Sequence, residues 1–254
     1  MKKYLLIPLF LFASLVTAAQ DYKVSKTGGK IVLNLPSVTV EGYNGNEVIF
    51  SSERDKEDED PRAKGLRAIN GAGYNDNTGL GINVTKSGST LEVNQVAGNP
   101  SVKILVPKGI VVSFECHRIM NAGKVIFKSI PNELEISTDY NHIELENVTG
   151  PVSVRALYGA VDAKFTEPIK GPVSIASIYS TVDVAIPVTT KVNVRLSCSH
   201  GTILASSDLK IIMEKNTNDN MISYGNVVNG KLNGGGPEFK LSAEFGKIYL
   251  RKSK

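Results

Sequence analysis

Tyr140-Asn141-His142-Ile143, Tyr158-Gly159-Ala160-Val161, Tyr179-Ser180-Thr181-Val182, His200-Gly201-Thr202-Ile203, Tyr224-Gly225-Asn226-Val227 and Phe245-Gly246-Lys247-Ile248 are six copies of one pattern. Each copy is a ring, then a small or turn-forming residue, then any residue, then Ile or Val. The spacings are 18, 21, 21, 24 and 21 residues, and Ala122-Gly123-Lys124-Val125 stands 18 residues upstream as a weaker seventh copy. Before most copies the apolar residues alternate: Leu134 and Ile136, Val152 and Val154, Val173 and Ile175, Val194 and Leu196, Phe239 and Leu241. A second short alternating run follows, as in Ile143 and Leu145 or Val182 and Val184. Alternation has the period of a strand, so each repeat is strand, turn and strand. A unit of this size cannot bury its inner face alone, whereas stacked units share one core.

The pattern predicts an all-β fold, a right-handed β-solenoid (β-helix-like) with coils of about 21 residues. Roughly nine coils at about 4.8 Å per strand spacing would make a body about 45 Å long. The rings are expected to form a ladder pointing inward, with Gly, Asn or Ser after each ring taking a sharp corner. In this register His200 is a rung between Tyr179 and Tyr224. An antiparallel meander or sandwich would have similar strand lengths but gives no reason for a ring at one fixed phase.

Working outward, residues 30–116 also alternate, for example Ile31, Leu33 and Leu35, or Val102, Ile104 and Val106, with Asn44-Gly45 and Pro107-Lys108-Gly109 as turns. Residues 51–64 stand apart, with Glu53, Asp55, Glu57, Asp58, Glu59 and Asp60 around Arg54 and Lys56, and read as a solvated excursion. Asn216 to Asn220 form a polar insertion ahead of the Tyr224 copy. Lys2 and Lys3, the apolar run Tyr4 to Val16 and the small residues Thr17-Ala18-Ala19 have the order of a secretory signal peptide over residues 1–19. The run is too short to span a bilayer, which needs about 20 apolar residues. Residues 20–254 are then one domain, irregular over 20–100 and regular over 101–254, exported to the periplasm, the outer surface or beyond, with no membrane span.

The 254 residues include no Trp, three His and two Cys, which is too little for a disulfide framework, a Cys-rich zinc module or a multi-histidine centre. With 29 basic and 25 acidic residues the formal charge is +4, and loss of Lys2 and Lys3 leaves +2, too small for a dedicated nucleic-acid binder. No cofactor fingerprint or nucleophile elbow occurs.

The chain also resembles the bacterial exported "putative adhesin" family of β-strand-repeat proteins of unknown function. The resemblance rests on Val40-Glu41-Gly42-Tyr43-Asn44-Gly45-Asn46-Glu47-Val48, on Gly65-Leu66, on the strand Val102 to Pro107, and on Glu133 to Ile143. It covers most of the chain after the leader. It implies a right-handed β-solenoid on or outside the cell envelope and carries over no catalytic residues, because the family has no agreed ones. The expected partner, a surface protein or glycan, is read from this chain itself.

Three groups of residues carry specific expectations. Four positions after the ring, successive coils hold Glu144, Asp162 and Asp183, and Leu204 ends the series. Stacked about 5 Å apart, these carboxylates make either a Ca²⁺ or basic-ligand stripe or a charged face relieved by Lys164 and its neighbours. Leu157 and Ile178 should stack outward as a small apolar patch for a partner. Cys116 and Cys198 fall about four coils, or roughly 19 Å, apart, beyond the ~7 Å Cα separation a disulfide allows. Both are expected as free buried thiols, Cys198 in the column of Thr138, Ala156, Ser177 and Ala243. The resulting function is a non-enzymatic binding face. The alternative is a Ca²⁺-dependent polysaccharide lyase or glycoside hydrolase using the acidic stripe with Arg155 or Arg195.

Overall fold

A computed structural model describes residues 21–52, 61–98, 100–119, 122–214 and 226–253. The leader, most of the acidic excursion, the 216–220 insertion and Tyr224-Gly225 lie outside the described residues. The first strands are β1 (Tyr22–Ser25), β2 (Gly29–Asn34), β3 (Val38–Tyr43), β4 (Glu47–Ser52), β5 (Ile82–Ser87), β6 (Thr90–Gln95), β7 (Val102–Pro107) and β8 (Ile110–Cys116). The middle holds β9 (Lys124–Lys128), β10 (Leu134–Thr138), β11 (His142–Glu146), β12 (Val152–Ala156), β13 (Val161–Lys164), β14 (Val173–Ser177) and β15 (Val182–Ile186). The last are β16 (Val192–Cys198), β17 (Thr202–Ala205), β18 (Ile212–Met213), β19 (Asn226–Leu232), β20 (Glu238–Ala243) and β21 (Lys247–Lys252). No α-helix occurs among the described residues, so none is long and apolar enough to cross a membrane.

Two mixed sheets contain all 21 strands, one in the order β1-β4-β7-β3-β9-β11-β13-β15-β21-β17, the other β18-β19-β16-β20-β14-β12-β10-β8-β2-β6-β5. In the middle the chain alternates between them. Leu134 pairs in parallel with Val152, and Val152 with Val173, at offsets of 18 and 21 residues. In the other sheet Ile143 pairs with Val161 and Val161 with Val182. The alternating residues Val125, Phe127, Ile143, Leu145, Leu134 and Ile136 are buried between the sheets, which is the core the period-2 pattern requires. Phe114 meets Phe127 edge to face at 6.2 Å, and Phe165 meets Phe239 at 6.1 Å.

Stack order departs from chain order at both ends. The pair β20–β21 is threaded between β14–β15 and β16–β17, with Val173 on Phe239 and Phe239 on Val194. At the other end β2–β3 lies between β6–β7 and β8–β9, since Ile31 pairs with both Leu91 and Val112. Antiparallel strands then close the stack: β1 on β4 and β4 on β7, β5 on β6, and β19 on both β16 and β18. Asn226 and Val227, expected to follow a parallel turn, instead begin the antiparallel β19.

The rings point outward rather than inward. The strand alternation runs correctly to Thr138, which is buried, but the bend at Asp139-Tyr140 breaks the phase. Asn141 therefore takes the inside of the corner and is fully buried, while Tyr140 is turned out. The small residue after the ring is not there for a left-handed φ, since Gly159, Gly201 and Gly246 have none. It is there because corners stack backbone on backbone. A Cβ on Gly159 would fall on the Asn141 carbonyl oxygen, one on Gly246 on that of Ser180, and one on Gly201 on that of Gly246.

Candidate functional site

Because the ring-bearing corners are stacked in register, their side chains form a continuous outer ladder in the order Tyr140, Tyr158, Tyr179, Phe245, His200. Successive centroids are 5.0, 5.0, 5.2 and 4.7 Å apart, with planes within 16° of parallel. Phe245 is the neighbour of His200, as the threading of β20–β21 dictates, and the expected rung Tyr224 lies outside the described residues. Tyr140, Tyr158, Tyr179 and Phe245 are 37–50% exposed, and His200 is exposed as well. Among the described residues none of the three phenol hydroxyls has a hydrogen-bond partner.

Asn141 anchors the ladder from inside. Its Nδ2 donates to the carbonyls of Pro36 at 2.6 Å and Gly123 at 3.0 Å, and its Oδ1 accepts from the Thr138 hydroxyl at 2.5 Å. All its groups are thus satisfied in the interior, as burial demands. Leu157 and Ile178, immediately before their tyrosines, are adjacent in one column and half-buried. Asp139 precedes this pair in the stack and Glu244 follows it, through Leu157 N donating to Thr138 O and Phe245 N to Ile178 O.

The acidic stripe runs beside the ladder on the β11–β13–β15 face. Glu144 is registered on Asp162 and Asp162 on Asp183. The next rung is Tyr249 rather than Leu204, which lies one step further. Each carboxylate has a basic partner, a lysine, a histidine or an arginine. Lys124 Nζ sits 2.5 Å from Glu144, and His142 Nε2 sits 3.0 Å from Asp162 and 3.5 Å from Glu144. Arg251 donates twice from Nε and once from Nη2 to Asp183, at 2.7–3.0 Å, and its guanidinium lies 5.0 Å from the Tyr249 ring centre. Lys164 is registered on Glu146 and makes none of these contacts with the stripe. Burial raises the Asp162 carboxyl above its ordinary value, and the charges of Asp183 and Glu144 add to this against the pull of His142.

His142, Glu144 and Asp162 place one nitrogen and two oxygen donors within 4.8 Å of one another, a set that could hold a divalent ion. In the structure His142 Nε2 already contacts both carboxylates, at 3.0 Å from Asp162 and 3.5 Å from Glu144. Arg155 and Arg195 do not join the stripe: both lie on strands of the other sheet, with their side chains on its outer surface.

Cys116 and Cys198 are both buried and unpaired. They share the column Cys116, Thr138, Ala156, Ser177, Ala243, Cys198, five steps apart rather than four, because the threaded coil adds one. Three partners escaped the sequence reading, among them His142, which opens β11 two residues before Glu144 and contacts Asp162 on the next coil. Lys124 was visible as the third residue of the weakest repeat copy. Arg251 was not, because nothing in the spacing indicates that β21 lies against β15.

The chain is similar to the crystal structure of a "putative cell adhesion protein" from Clostridium sporogenes, at 14% identity and a TM-score of 0.42, over 92% of this chain and 100% of the other. It is also similar to that of a "putative adhesin" from Bacteroides fragilis, at 12% identity and a TM-score of 0.33, over 92% and 96%. No family model and no curated protein matches the chain.

Proposed function

We propose that this is an exported, non-enzymatic strand-repeat protein of the adhesin type, and that the ladder corner is its contact surface. One observation carries the reading: a continuous row of five exposed rings, three of them with hydroxyls that have no partner among the described residues, on a double sheet. Continuous exposed apolar surface rimmed by charge is the usual character of an interaction site. Leu157 and Ile178 widen the row on one side, and the stripe Glu144, Asp162 and Asp183 borders it on the other. The partner is a surface protein or glycan. We read the winding as right-handed, with coils of about 21 residues, because parallel strand–crossover–strand connections are right-handed in about 98% of cases. Residues 1–19 supply the export signal, and 20–254 form the one domain that is exported.

The enzymatic alternative needs the acidic stripe, Ca²⁺ and Arg155 or Arg195 around one substrate. The arginines project from the opposite sheet, and every stripe carboxylate already contacts a side-chain nitrogen of Lys124, His142 or Arg251, so binding is the better reading. The test is adhesion of cells displaying the protein to one another and to a coated matrix. Replacing Tyr158 and Tyr179 together by Ala is expected to abolish it while the far-ultraviolet spectrum stays that of the parent. Unchanged adhesion rejects the assignment. Turnover of an anionic glycan that disappears in Asp162→Ala would establish the enzyme instead.

A further inference from the structure

We infer that His142, Glu144 and Asp162 bind one Zn²⁺ ion per chain, through the imidazole Nε2 and one oxygen of each carboxylate, with the fourth position facing solvent. The site lies beside the ladder corner and does not depend on that corner being a contact surface.

Backbone register brings the donors together. His142 and Glu144 are two residues apart on β11 and so project from one face of the sheet. Asp162 on β13 is registered on Glu144. The three donor atoms lie within 4.8 Å of one another, and among the described residues no other three His, Cys, Asp or Glu side chains converge this closely.

Their separations suit a small ion. Zinc holds nitrogen and oxygen ligands at about 2.0–2.2 Å, so two ligands at roughly tetrahedral to right angles stand about 3.0–3.4 Å apart. His142 Nε2 stands 3.0 Å from Asp162 Oδ2 and 3.5 Å from Glu144 Oε1. The third edge closes by rotation of the two carboxylates, which are partly exposed.

A hydrogen bond accounts for this nitrogen less well. Nε2 carries at most one hydrogen, directed along one line, yet two carboxylates converge on it. An ion in the ring plane serves both. Charge points the same way. Lys124 contacts Glu144 and Arg251 contacts Asp183, whereas Asp162 between them has only the imidazole among the described residues. Lys124 also holds the Glu144 oxygen that faces His142, as the outer partner of a ligating carboxylate does.

The donor set selects the ion. Ca²⁺ takes about 6–8 oxygen ligands and Mg²⁺ a near-ideal octahedron of oxygens, neither of which two carboxylates and an imidazole supply. Imidazole suits the later transition metals, and three protein ligands with one open position is an arrangement zinc adopts.

Titration calorimetry of the metal-free protein with Zn²⁺, and separately with Ca²⁺, tests this. One Zn²⁺ per chain is expected, with a raised melting temperature and no heat from Ca²⁺. His142→Gln and Asp162→Asn should each weaken Zn²⁺ about tenfold to a hundredfold or more. Both side chains are partly exposed, so the metal-free melting temperatures should match the parent. Glu146→Gln, on the same strand outside the set, should bind as the parent does. No Zn²⁺ binding, undiminished binding in His142→Gln or Asp162→Asn, or equal binding of Ca²⁺ overturns the assignment.

Discussion

The middle coils, β9 to β15, and the two ends of the stack are made of the same kind of strand but are assembled differently. In the middle each strand pairs with one 18 or 21 residues away, so the chain winds and stacks as it goes. At the ends the pairing partner is remote: Val173 meets Phe239, and Ile31 meets Leu91 on one side and Val112 on the other. Repetition alone can build the first kind of structure but never finishes it, because the last coil would leave two open edges prone to pairing with other chains. Threading a distant strand pair into each end, and laying antiparallel strands outside it, closes the stack with non-local contacts. Those contacts cost loop-closure entropy and slow folding.

This contrast can be broken most severely by deletion. Removing residues 152–172 takes out one middle coil and leaves β10 facing β14, which a repeat stack should tolerate as a cooperative but less stable fold. Removing 238–254 takes out β20 and β21 and strips β16 and β17 of their parallel neighbours. Thermal unfolding is expected to keep one sharp transition in the first case and lose it in the second. The reverse result would mean the threaded coil is only an ornament.

Gly246→Ala sharpens the same point at one atom, since its Cβ would collide with the Ser180 carbonyl where the threaded coil sits on the middle. A cost of about 3 kcal/mol is expected from the forced backbone shift, against about 0.5 kcal/mol or less for Ser180→Ala in the same column. Equal values in urea titrations would place the close approach elsewhere.

Asn141→Ala removes one hydrogen bond that ties the middle to the Pro36 segment of the threaded N-terminal coil, one to the Gly123 corner ahead of β9, and the acceptor of the Thr138 hydroxyl. The Pro36 carbonyl still accepts from Gly123 N, but the Gly123 carbonyl and the Thr138 hydroxyl lose their partner, which should cost about 2 kcal/mol, read as a lower urea midpoint at constant slope. A shift within error would show that water replaces the amide.

The smallest effect concerns acid, and its sign differs between the regions. At the N-terminal end burial would raise the Asp76 carboxyl, but donors from the Thr78, Gly81 and Gly79 backbone and the Thr78 hydroxyl outweigh it, so its value is lowered. A lowered folded value gives stability that is present above the ordinary aspartate value and lost as pH falls through the lowered one. Asp162 in the middle is raised, so its contribution is present below the ordinary value and lost as pH rises through the raised one. Amide exchange at Thr78, Gly79 and Gly81 should therefore quicken at the acid end of a titration, when Val161 to Lys164 does not. Exchange that quickens equally in both places contradicts the assignment of opposite shifts.

How far the sequence was legible follows the same division. Val152, Val173 and Val182 could be placed in register by counting, because their partners lie one period away. Glu144, Asp162 and Asp183 were therefore found as neighbours, and the column of Thr138, Ala156, Ser177, Ala243 and Cys198 was found from phase. Arg251 and Phe245 could not be placed, since their neighbours Asp183, Tyr179 and His200 are 45 or more residues away with no periodic link. The direction of Tyr140 was misjudged for a local reason, because alternation is a property of extended backbone and the bend at Asp139 ends it.

The sequence by itself determined that this chain is all-β and repetitive, that its core is alternating aliphatic residues in thin layers, and that one ring and one small residue recur at every corner. Those features follow from period and side-chain size, which are local. Only the tertiary structure decided that the rings face solvent as one ladder, that the last strand pair is inserted before β16 rather than after it, and that the acidic stripe is contacted by Lys124, His142 and Arg251. Each of those depends on which coil lies next to which, and that choice is made by closing the ends of the stack, where residues far apart in the chain are the ones that fit.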